Sequence, residues 1–210
     1  VKTIPGPAIL KIHNPTERVL FNPVRDANPY FHVMEFVWMM AGSNDAEWIG
    51  QFNKRMMEYA DDGILRGAYG WRWAAGDQIA DAVRLLRADP GTRQCVLQMW
   101  DYAYDGPNAK SSDRPCNTHI YLKVNQILGT LEMTVCNRSN DFFWGMLGSN
   151  AVHFTMLQEL IALELGLKVG TYYVFTNNLH VYTDMPRFNE LWKSRVEHDL
   201  YKTDDVSTQP

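Results

Sequence analysis

Residues 150–165, NAVHFTMLQELIALEL, constrain the fold more than any other segment. Ala151, Phe154, Leu157, Ile161 and Leu165 recur at helical spacing, and Gly166 closes the run. A helix this apolar needs a layer to bury against, and the segments on either side can supply one. Residues 94–100, 119–124 and 128–136 are rich in β-branched and aromatic side chains and read as strands, the last two joined by a tight turn at Asn125 and Gln126. Strands return at YYVFT and LHVY. A further helix is expected from Pro29, with Asn28 as cap and Gly42 at the exit, and another over 77–88, stopped by Asp89-Pro90. The expected class is α+β, a mixed β-sheet packed against helices. With 46% hydrophobic residues in 210, one domain over 1–210 has enough apolar material for a single core, and the polar stretch at about 200–210 is expected to fray.

Charge and cysteine usage narrow the function. A net charge of -4 argues against a broad basic face for nucleic acid polymers but leaves nucleotide monomers open. Cysteines at 95, 116 and 136 form no CxxC pair and are odd in number, which suits neither a disulfide framework nor a zinc site. The expectation is a cytoplasmic protein without a metal. No apolar run approaches the roughly 18–20 residues of a membrane span, and prolines break the first fifteen residues, so neither membrane insertion nor a processed leader is expected.

Several residues can carry chemistry. Cys116 follows YDGPNAKSSDRP (104–115), a segment with exposed-loop composition, and precedes a strand, so its sulfur can be held rigidly yet open to a ligand. It reads either as a nucleophile served by a cation, with Arg138 at the exit of the next strand the candidate, or as a small buried hydrophobe, the reading given to Cys95 and Cys136. Arg138 with Ser139 suits a phosphate or a salt bridge. Glu35, flanked by apolar residues in its helix, must be paired or have its pKa raised, as in a general acid. Asn150 can cap its helix or read a base edge, and His180 and Tyr182 can meet a sugar hydroxyl or edge the core.

The order MEFVWMMAG, AYG, DPGTRQCVLQMW, RPCNTHIYL, CNRSND and NNLHVY, across about residues 17–185, closely resembles the thymidylate synthase and deoxynucleotide hydroxymethylase family, with RSND similar to its phage hydroxymethylase branch. The resemblance implies a homodimer joined through a sheet face and the co-substrate 5,10-methylenetetrahydrofolate. It implies that Cys116 adds to C6 of a pyrimidine and that Arg138 lowers the thiol pKa. Arg138 and Ser139 would grip the nucleotide phosphate together with Arg93 from the partner subunit, with Arg18 and Arg25 as further phosphate candidates. Glu35 and Tyr69 would move protons through water, His180 and Tyr182 would hold the ribose, and Asp141, Trp38 and Met56 would face the folate.

The departures bear on the product. Asn117 stands where the synthase has histidine, Gln94 replaces the second of two adjacent arginines, Met56 stands for a tryptophan, and STQP does not match the synthase's apolar C-terminal segment. These differences concern water access and folate closure, and they favour hydroxymethylation over methylation. Asn150 favours dUMP over dCMP, although the spacing from Gly145 is one residue longer than the family pattern and leaves Ser149 as the alternative. An authentic thymidylate synthase, a dCMP hydroxymethylase and a catalytically silent nucleotide or RNA binder are the rival readings.

Overall fold

A computed structural model describes residues 1–194 and Tyr201. The chain opens with strands β1 (Lys2–Thr3) and β2 (Ala8–Ile12). Helices α1 (Pro29–Met40) and α2 (Ala46–Gly50), a 3-10 turn at Lys54–Tyr59, and helices α3 (Tyr69–Ala74) and α4 (Gln78–Ala88) follow. Strand β3 (Val96–Gln98), the short α5 (Tyr102–Asp105), β4 (Asn117–Asn125) and β5 (Thr130–Asn137) form the middle of the chain. Strand β6 (Asn140–Asp141) and a π-helical turn at Phe142–Met146 lead into α6 (Ser149–Leu165). Strands β7 (Lys168–Thr176) and β8 (Leu179–Val181) and helix α7 (Phe188–Lys193) complete the described elements.

The main sheet runs β2-β7-β5-β4-β3, antiparallel except for the parallel pair β5 and β7. Period-two alternation sends Leu97, Ile120, Leu122, Leu131, Met133, Val135, Tyr172 and Val174 to one face, all buried with Phe154, Leu157 and Ile161 of α6. Each of these large apolar side chains contributes about 1.5–3 kcal/mol relative to exposure. Gln158 is buried in the same helix, and its amide donates to the carbonyls of Leu131 (2.8 Å) and Gly170 (3.0 Å). Those carbonyls lie beside the register shift between β5 and β7, where the ladder leaves acceptors free. The opposite face is open: Val96 and Tyr121 are nearly half exposed, and Phe175 and Ile9 are exposed too.

The helices that bear on the site are set by local chemistry. The Asn28 side chain accepts from Phe31 N at 3.0 Å and Pro29 takes the first turn of α1, as expected from the sequence. Gly42 leaves the helix at φ +64°. Gly70 lets α3 abut α1, since a Cβ there would lie 1.9 Å from the Met39 carbonyl oxygen. That contact sets Tyr69 beside the helix that carries Glu35.

Some expectations changed. The segment 104–115 is anchored rather than loose: Asp105 is 1% exposed and pairs with buried Arg72 at 2.8 Å, and Ser111 is buried against Asp61. Its Gly, Pro and Ser content signalled turns but not that ion pair. Residues 126–129 form a longer connection than a tight turn, with Gly129 at φ +63°. LHVY joins β1 and β6 in a separate three-stranded sheet, β1-β8-β6. Asn150 does not cap α6, because the helix starts at Ser149 after Gly148. Of the stretch 200–210 only Tyr201 is described, its hydroxyl bonded to Val19, and the rest of that expectation lies outside the described residues. Among the described residues no helix is long and apolar enough to cross a membrane.

Candidate active site

Cys116 sits at the entrance to β4, where backbone pairing across to β5 fixes it: Arg138 N donates to the Cys116 carbonyl at 3.0 Å. The Arg138 guanidinium folds back over the same turn, donating through Nε to the Pro115 carbonyl and through Nη2 to the Arg114 carbonyl, both at 3.0 Å. Nη2 then lies 3.8 Å from Cys116 Sγ. The guanidinium pulls the thiol pKa down, but burial is the larger effect and Asp113 adds to it, so the net shift is upward. The expected lowering by Arg138 is present, but burial outweighs it, so Arg138 moderates a rise. Cys95 is buried, its pKa pushed up to about 11, whereas Cys136 is half-buried on the open sheet face.

Behind the sulfur lies a mostly buried cluster. Tyr69 opens α3, and its hydroxyl, pushed well above its ordinary pKa by burial, is also influenced by Cys116, Asn117 and Glu35. Asn117 is fully buried; its amide oxygen accepts from Asn137, and its amide nitrogen has no partner. Glu35 points inward from α1 and burial pushes its pKa up to about 8. Its Oε2 lies 3.2 Å from Nε2 of His153, which α6 delivers from the far side. His32, one turn before Glu35, packs edge-on to His153 with ring centroids 5.7 Å apart and meets the Ser149 hydroxyl at 3.4 Å. His32, Glu35 and His153 thus bring three donor atoms within 4.8 Å of one another. The sequence reading missed both histidines. Their signal was there: His32 stands at i-3 to Glu35, and His153 interrupts the apolar run of α6.

A second group forms where β5 passes into the small sheet. Ser139 Oγ lies 3.3 Å from His180 Nδ1, and His180 meets the Tyr182 ring edge-on at 5.2 Å. Asp141 pairs with His180 in the ladder, and its Oδ1 accepts from Trp144 N at 2.5 Å while Oδ2 is buried with no partner. The π-helical turn after it closes with Leu147 N donating to the Phe142 carbonyl at 3.0 Å. Such a turn absorbs one extra residue, which accounts for the long spacing between Gly145 and Asn150. Asn150 then reaches Asn140, its Nδ2 donating to Asn140 Oδ1 at 3.3 Å, while Ser149 turns to His32.

Other expected site residues lie apart from these groups. Trp38 is core, its indole donating to the Asp45 carbonyl at 3.0 Å. Met56 is half-buried on the 3-10 turn and packs on the core. Arg18 pairs with Glu159, and Arg25 donates to the Phe143 carbonyl at 3.1 Å beneath the Trp144 ring, so both are committed to protein groups. Arg93 is exposed just before β3, without a hydrogen bond or ion pair among the described residues. Beyond it, Val96, Gln98, Trp100, Thr118, His119 and Tyr121 line a hollow of about 600 Å³ on the open sheet face, with Arg138 at its wall.

Comparison with known proteins gives the same constellation a lineage. Deoxyuridylate hydroxymethyltransferase of Pseudomonas phage M6 is 42% identical over 185 residues, covering 86% of this chain and 52% of that protein. The protein of the same name from Bacillus phage SP01 is 37% identical over 217 residues, covering 97% of this chain and 55% of the relative. A thymidylate synthase of Corynebacterium aurimucosum is 29% identical over 167 residues, 74% of this chain and 60% of that enzyme. The chain thus spans about half the length of the phage relatives it matches. The family model described as thymidylate synthase matches residues 24–202, the span that holds Glu35, Tyr69, Cys116, Arg138 and His180, and the chain belongs to that family.

Proposed function

We propose that this chain forms the active site of a deoxyuridylate hydroxymethyltransferase, which joins a one-carbon unit to C5 of dUMP and finishes with water, giving 5-hydroxymethyl-dUMP. The observation that carries the reading is Cys116 Sγ held 3.8 Å from Arg138, with Tyr69 and Glu35 behind it. Cys116 adds to C6, which makes C5 nucleophilic, and Arg138 offsets the cost of the buried thiolate while its fork stays oriented by two backbone carbonyls. Glu35 serves as the proton donor at the ring's O4 and Tyr69 belongs to the water network that receives the C5 proton. Ser139 joins Arg138 at the phosphate, and His180 and Tyr182 hold the ribose. Asn150, its amide oriented by Asn140, reads the uracil edge.

Methylenetetrahydrofolate supplies the one-carbon unit when bound. The residues present suit it: Asp141 Oδ2 is a buried acceptor with no donor, which a pterin N–H would satisfy. Three phage relatives carry the name deoxyuridylate hydroxymethyltransferase at 35–42% identity, against 29% for the synthase, and this favours the hydroxymethyl product. The unit of function is a homodimer through the open sheet face. Exposed Val96 and Tyr121 on the face that Arg138 borders, and exposed Arg93 three residues before Val96 in the chain, support an arginine crossing into the partner's phosphate site. Tritium release from C5-labelled dUMP tests the chemistry: the wild-type protein releases label in the presence of the folate and Cys116→Ala releases none. Equal background release from both would contradict the assignment.

A further inference from the structure

Glu35 Oε2 and His153 Nε2 face each other at 3.2 Å, and both are buried without another hydrogen-bond partner. Two acceptors cannot be neighbours there, so one proton must lie between them. His153 also hydrogen-bonds the backbone of His32, and that bond raises its pKa, the sign of a ring N–H donating to a carbonyl. With Nε2 turned to Glu35, the donating nitrogen is Nδ1, which leaves Nε2 with its lone pair aimed at the carboxyl group. We propose that His153 is a positioning residue that accepts the Glu35 carboxyl proton at Nε2, its tautomer fixed by His32, and so keeps Glu35 loaded as the acid of the reaction. This rests on the reading of Glu35 as the acid given under Proposed function.

The surroundings agree. Glu35 feels burial and no compensating charge. The titratable groups around it are His32 on its own helix, His153 from α6 and Tyr69 from α3. Burial lowers His32 to about 4, helped by Arg25, and His153 to about 3, so both rings are neutral near pH 7, and Tyr69 keeps its proton. The proton balance over one turnover is simple. Glu35 gives its proton through water to O4 as Cys116 adds and takes it back as the ring carbonyl re-forms and Cys116 leaves. The C5 proton and one proton of the incoming water account for the two N–H protons of the released tetrahydrofolate. His153 stays neutral throughout, because an imidazolium in this cluster is disfavoured by burial.

The test is a carbon-13 titration of the glutamate side-chain carboxyls, with Glu35→Gln used to assign the Glu35 signal, in wild type, His153→Leu and His153→Gln. The wild-type group titrates near 8. His153→Leu lowers that midpoint by about one pH unit or more, and His153→Gln, whose carbonyl can accept the same proton, falls between. The alkaline limb of tritium release from C5-labelled dUMP moves by the same amount. An unchanged midpoint in a folded His153→Leu protein overturns the proposal; if that variant does not fold, an unchanged midpoint in His153→Met, which fills similar space without a strong acceptor for that proton, does. Stoichiometric divalent metal in the purified protein, lost with chelator, also overturns it, since the three donor atoms would then hold a cation. A wild-type protein that releases no label at any pH refutes the reaction instead, while the titration still judges the proton pair.

Discussion

At the scale of single residues the site is a contest between burial and charge. Cys116 shows one outcome: a guanidinium 3.8 Å away moderates a thiol that burial pushes upward, so the resting sulfur carries its proton. Glu35, His32 and His153 show the other, since each prefers its neutral form. Their effect on stability has opposite signs. Glu35 at about 8 in the folded state, against 4.5 when free, leaves the folded chain holding a proton that the unfolded chain has lost, so stability falls as pH rises from 4.5 through 8. The histidines at about 4 and 3, against 6.5, make stability fall as pH drops below 6.5. Below pH 6.5 the two histidine protons outweigh the one glutamate proton, so these three groups together place maximum stability near pH 6.5, with a decline on either side. In Glu35→Gln the alkaline decline flattens while the acid decline remains, as thermal melts from pH 4 to 9 would read. An unchanged alkaline slope would mean that Glu35 is ionised in the folded protein.

At the scale of elements, close backbone approach puts these residues within reach of one another. Gly70 is the clearest case, because α3 meets α1 where a Cβ would strike the Met39 carbonyl. Gly70→Ala is therefore expected to cost about 1–3 kcal/mol or more in urea unfolding, and to lower turnover by moving Tyr69 from Glu35. Stability and turnover equal to wild type would show that the contact is not needed. How much of this was legible follows from range. The cap and stop of α1, the long α6 and the three central strands could be read, because Asn28, Pro29, Gly42 and Gly166 and the apolar spacing act locally. The π-helical turn, the separate small sheet and the buried Arg72–Asp105 pair could not, because each is settled by partners distant in the chain. The site was legible where a motif named its residues, as with Cys116, Arg138 and Glu35. It was illegible where geometry alone makes the neighbour, as with His153 across from Glu35.

At the scale of the whole molecule, one sheet face is buried under helices and the other stands open beside Arg138. A homodimer through that face predicts shared active sites. Mixing Arg93→Ala with Cys116→Ala subunits should then restore activity that neither has alone, because one site of the hybrid has its own Cys116 and the partner's intact arginine. Mixtures as inactive as their parents, with hybrid formation verified by native mass spectrometry, would argue for self-contained subunits. The most direct measurement is the mass of the nucleotide made from dUMP and methylenetetrahydrofolate by the wild-type protein. The account predicts dUMP plus the elements of formaldehyde, formed without dihydrofolate absorbance and absent with Cys116→Ala. A product carrying only a methyl group, or recovery of unmodified dUMP, would contradict it.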